Sequence, residues 1–68
     1  MEEDWVMVFS SAQRYLVDIY HDVLEDADIE SVVVDKKDSM YLLGAVELYV
    51  RVENAFIAKQ LIEKGESE

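Results

Sequence analysis

The chain contains no cysteine, two glycines, one histidine, and six basic residues against sixteen acidic ones. Each scarcity removes a class of function. Without cysteine no disulfide can reinforce the fold, and with one imidazole and no thiolate a structural zinc site is not credible. The glycines, Gly44 and Gly65, do not form a Gly-rich turn between strand and helix, so no phosphate cradle or nucleotide fingerprint exists. Nucleophilic catalysis needs a base within reach of its nucleophile, and the single histidine, His21, lies far along the chain from Ser39. The formal net charge of -10 repels nucleic acid phosphates and anionic lipid heads. No apolar run approaches the ~20 residues that span a bilayer. Met1 leads into Glu2-Glu3-Asp4 rather than a basic region, so no secretory signal is expected. The expectation is a soluble, cytoplasmic protein with no cofactor and neither nucleic acid nor membrane as partner.

What is present argues for a folded domain. Hydrophobic residues make up 51% of the 68, too many for a disordered acidic tail. That length holds one domain, residues 1–68 with an ordered core at about 5–64, and a chain so short buries only ~60% of the surface its unfolded form exposes. Stability must come from packing or self-association.

The most informative stretch runs from Asp35 to Val50. A polar connection from Lys36 to Gly44 feeds into strict alternation, with Val46, Leu48, Val50 and Val52 on one face and Glu47, Tyr49 and Arg51 on the other. This is the pattern of a strand with one covered face. Before it, the apolar run Trp5 to Ser10 reads as a first strand, and Ile29 to Asp35, with its valine triplet, as a second. Between these two, Leu16, Ile19, Tyr20, Val23, Leu24 and Ala27 recur at helical spacing opposite an acidic face. Ser10 or Ser11 supplies the expected N-cap, with Gln13 completing a capping box. Acidic residues crowd the helix's C-terminal half, against the macrodipole, and Asp28 falls where a left-handed residue is needed. A second helix follows Asn54, with Ile57, Ala58, Leu61 and Ile62 inward and Gly65 as its end.

The element order β-α-β-β-α predicts an α+β fold: a two-layer sandwich whose helices share one face of a three-stranded sheet. A right-handed crossover between the first two strands, with the third antiparallel between them, is the ferredoxin-like arrangement without its last strand. The first strand then becomes an unpaired edge, preceded by charged residues that can act as gatekeepers. It is apolar on both faces, and periodicity leaves open whether Val6 and Val8 or Trp5, Met7 and Phe9 pack on the helices. Outward residues of this strand, with Val33 and Tyr49, are expected to form an apolar patch that a homodimer or another protein would cover. Asp18, His21, Asp22 and Glu25 share a helical face, but in so acidic a chain a solvated face is the better account than a metal site. Asp38 and Ser39 read as turn formers, and a third reading, an enzyme using Asp38, Ser39 and Tyr41, has no base to support it.

Leu24-Glu25-Asp26-Ala27-Asp28-Ile29, Lys36 to Tyr41 and Gly44 to Val50, in this element order, resemble the putative prokaryotic signal-transducing protein family, in particular its Bacteroidetes-type members. The resemblance covers roughly Trp5 to Glu63. It implies a fold similar to the PII nitrogen regulators, small ferredoxin-like proteins that contact effectors and targets through the loop between strands two and three. The chain departs from PII in its short loop, missing last strand and lack of a Gly-rich nucleotide segment, and no catalytic residues are carried over. The expected function is a non-enzymatic regulatory or protein-interaction module, with Trp5, Met7, Phe9, Lys36, Lys37, Tyr49 and Arg51 as partner-binding residues and self-association through strand one. The alternative is a PII-like sensor of an anionic effector near Lys36, Lys37 and Arg51.

Overall fold

The computed structural model describes residues 4–36 and 45–66. Their elements are β1 (Trp5–Ser11), α1 (Arg14–Asp26), β2 (Ser31–Asp35), β3 (Val46–Arg51), a 3-10 turn (Val52–Asn54) and α2 (Ala55–Glu66). The sheet order is β1-β3-β2, with β3 antiparallel to both neighbours. This is the ferredoxin-like order, with no strand beside β1 among the described residues. The described residues measure 33 × 30 × 15 Å, the thickness of one sheet and one helix layer.

The alternation read in β3 sets the core. Val46, Leu48 and Val50 are fully buried, and each such side chain contributes roughly 1.5–3 kcal/mol by leaving water. Val17, Tyr20 and Leu24 of α1, Ile29, and Ala58 and Ile62 of α2 close over them. Val52 does not extend the alternation: it lies in the 3-10 turn and is exposed, while its N–H donates to the Asp4 carbonyl at 2.7 Å.

The helix boundaries shift from expectation for local reasons. Ser10 and Ser11 pair with Glu47 and Val46 in the sheet, so neither caps α1. Ser11 Oγ instead accepts the Gln13 N–H at 3.0 Å, and Gln13 is the N-cap residue without a side-chain cap. The buried stripe of α1 is Val17, Tyr20 and Leu24, at i, i+3 and i+7, so Val17 is covered and Ile19, about 100° round the helix from Tyr20, turns to solvent. Ala27 is exposed at the helix end, and Ile57 is exposed on α2. Asn54 ends the 3-10 turn that leads straight into α2.

The C-terminus of α1 follows its sequence. Asp28 has φ 62°, its N–H donates to the Glu25 carbonyl at 2.9 Å, and the Ile29 N–H donates to the Leu24 carbonyl at 2.8 Å. These two bonds define a Schellman motif, and buried Leu24 and Ile29 supply its apolar contact. Gly65, by contrast, does not end α2, which continues to Glu66. A Cβ at Gly65 would lie 3.1 Å from Tyr20 Cε1, so this glycine permits the helices to approach at the Tyr20 ring.

A β-bulge in β1 decides the phase that periodicity left open. Met7 pairs with Tyr49 and Phe9 with Leu48, leaving Val8 as the extra residue between them. Neither alternating set packs as a unit. Val6, Val8 and Phe9 pack against the core, and Phe9 meets Tyr20 edge-on with ring centroids 4.7 Å apart. Trp5 and Met7 pair with Arg51 and Tyr49 and so share their face.

Candidate functional site: the open sheet face

Because side chains alternate across a strand, the register of the two ladders assigns the face that the helices leave uncovered. Its middle row is Met7, Tyr49 and Val32, one residue from each strand. Toward one end, Trp5 pairs with Arg51; toward the other, Ser10, Glu47 and Val34 are aligned. Met7 and Val32 are exposed. Val33 pairs with Leu48 and packs on the core, so it leaves the expected patch and Val32 replaces it.

The charged groups sit at the two ends of this face and have partners within the chain. Arg51 Nε donates to Glu30 Oε1 at 3.1 Å, and its guanidinium carbon lies 4.9 Å from the centre of the Trp5 ring, a cation–π geometry. At the other end, Lys36 Nζ lies 3.2 Å from Glu47 Oε1, and Tyr49 donates its hydroxyl to that same oxygen at 2.8 Å. The Tyr49 hydrogen bond is the main reason that the Glu47 pKa falls below the ordinary 4.5; partial burial opposes the shift and Lys36 adds to it. The same bond raises the Tyr49 phenol above its usual value of 10.0. Both shifts describe a carboxylate and a phenol locked in their neutral-pH forms.

Of the residues expected to bind a partner, Trp5, Met7, Lys36, Tyr49 and Arg51 thus come together on one face. Phe9 does not, because the bulge turns it inward. Lys37 lies outside the described residues, as do Asp38, Ser39, Tyr41 and the rest of the connection to Gly44. Glu30, Val32 and Val34 were missed. The i, i+2 spacing of the last two was the available signal, but an unbroken valine triplet gives no phase.

The seam between α1 and β2 carries a second polar arrangement. His21 Nδ1 lies 2.5 Å from Ser31 Oγ and its Nε2 lies 3.0 Å from Glu25 Oε1, a carboxylate–imidazole–hydroxyl chain. Arg14 Nη1 donates to Asp35 Oδ2 at 3.2 Å farther along the same seam. Two such ties, about two helical turns apart, hold α1 against an edge strand, and this explains the histidine without a reaction. His21 is thereby turned to the seam, and the described residues hold no cluster of three or more His, Cys, Asp or Glu able to bind a metal ion. No helix among the described residues is long and apolar enough to cross a membrane.

The described residues form a ferredoxin-like sandwich of the α+β class, with both helices on one face of the sheet and its polar groups on the other face paired within the chain. The model of the family described as putative prokaryotic signal transducing protein matches residues 5–66, and the chain belongs to that family. It is a small, non-enzymatic signalling module on that ground. Comparisons with curated proteins and with solved structures return no match.

Proposed function

We propose that the chain acts in the cytoplasm as a protein-interaction module that presents its open sheet face and the connection from Lys36 to Gly44 to a protein partner. The observation that carries this reading is the Met7–Tyr49–Val32 row, an apolar band across all three strands with no helix of the described residues over it. Exposed apolar surface that is contiguous and rimmed by polar groups marks contact sites. The likeness to Bacteroidetes-type members belongs to the same reading, and the genomic neighbourhood in that lineage is where a partner is to be sought.

A photo-crosslinking residue at Met7, compared with one at Asp22 on α1, tests the face in the native cell. Adducts to a defined protein, or to the chain itself, from Met7 alone support it. Adducts from Asp22 alone sink it.

The alternative, a PII-like sensor of an anionic effector, would use Lys36, Lys37 and Arg51. Lys36 and Arg51 do share the face, but each already faces a carboxylate, Glu47 and Glu30. An anion would have to displace that carboxylate in a chain of net charge -10. Chemical-shift mapping with nucleotides decides it: saturable shifts at Lys36 and Arg51 favour sensing, and unmoved resonances remove it.

A further inference from the structure

Resting on the reading of the open face as a contact site, we propose that one occupant of the face is a second copy of this chain, stacked sheet on sheet. The distribution of charge supports this choice. The chain as a whole carries -10, which should drive two copies apart. Yet the charged residues placed on this face, Glu30, Lys36, Glu47 and Arg51, are two acids and two bases already joined as ion pairs. Much of the excess negative charge lies on α1, at Asp18, Asp22, Glu25 and Asp26, while Asp4 and Glu53 add negative potential only at the Arg51 end of the face. Face-to-face stacking puts the helix layers, and their repulsion, on the outside of the pair.

Three further features match what such an interface requires. Interfaces have an apolar centre and a polar rim; here Met7, Tyr49 and Val32 form the centre, and the ion pairs stand toward the two ends. The one hydroxyl in that row, on Tyr49, donates to Glu47 of its own chain, so covering it strands no donor. The Met7–Tyr49–Val32 row crosses all three strands, so the apolar centre is continuous across the width of the sheet. A two-fold axis running along the middle row, in the plane between the two sheets, sets the Arg51 end of each copy over the Glu47 end of the other, an isologous arrangement. Pairing through the free edge of β1 is the less suited route, because the bulge at Val8 distorts that edge. A second copy also answers the size problem, since a chain of 68 residues without disulfides gains a second buried layer.

Trp5, the chain's single tryptophan, is on this face and reports on it. Sedimentation equilibrium and Trp5 emission are measured on the full chain from micromolar to millimolar concentration. The expected result is a monomer–dimer transition with a blue shift of the emission that follows the same isotherm. Val32→Glu raises the dimer dissociation constant at least tenfold, and so does Met7→Lys on the opposite edge strand; Asp22→Asn does not. Circular dichroism confirms that both variants fold, and either folded one suffices. A monomer throughout the range overturns the proposal, as does a dimer indifferent to the folded variants, which is the behaviour of edge pairing. If self-pairing fails while Met7 still crosslinks to a different protein, only the second copy is lost and the interaction module stands.

Discussion

The two faces of β3 belong to the same six residues and are built by opposite rules. On one, Val46, Leu48 and Val50 exclude water completely and carry no polar atom in their side chains. On the other, Glu47, Tyr49 and Arg51 keep polar groups but tie each to a partner from their own chain. The difference teaches how a very small sheet can be stable on one side and available on the other. The covered face holds the fold through area. The open face removes its own hydrogen-bonding demand, so that contact there costs little beyond displaced water.

Substitutions in the two faces should therefore fail differently. Leu48→Ala, at the centre of the covered face, should cost roughly 2–5 kcal/mol, a large part of the total for so small a domain; chemical denaturation checks it, and a loss below the cost of an exposed substitution would contradict the central place of β3. Gly65→Val crowds the Tyr20 ring, already 3.1 Å from the position of a Cβ, and should cost about 1–3 kcal/mol by thermal melting. On the open face the effect is one of pH. Glu47 has a depressed folded pKa, so its contribution is present above the ordinary carboxylate value of 4.5 and is lost as pH falls through the folded value. Glu47→Gln should be less stable than the parent at neutral pH, with a gap that closes in acid. A gap that widened in acid would reverse the assignment. Asp28→Gly is expected to give the smallest change and the only gain, about 0.5–1 kcal/mol from relief of the left-handed conformation. A lower melting temperature for that variant would count against the strain seen at φ 62°.

How much of this could be read from the chain depended on whether a segment's pattern has a phase. The alternation from Val46 to Arg51 does, and both the central strand and its two faces follow from it. Asp28 was legible because the Schellman turn asks for one unusual backbone conformation at one place. The valine triplet Val32-Val33-Val34 has no phase, and Val33 was assigned to the wrong side. Ile19 and Val17 exchange roles because α1 has apolar residues on more than one of its helical rows, and the row that the sheet covers is Val17, Tyr20 and Leu24. The Glu30–Arg51 and Ser31–His21 contacts join residues that no local spacing relates; only the folded register and the return of β2 along α1 bring them together.

The bulge at Val8 has a bearing on chain length. Removing Val8 alone would leave Trp5 and Met7 opposite Arg51 and Tyr49, and would bring Phe9 into regular succession opposite Leu48. Every other residue of the strand would keep its side of the sheet, and only the packing of Val8 on the core would be lost. A one-residue deletion, ordinarily ruinous inside a strand because it inverts everything beyond it, is here expected to be survivable. A chain one residue shorter at this position would therefore keep the same architecture, with a change of local twist rather than of fold.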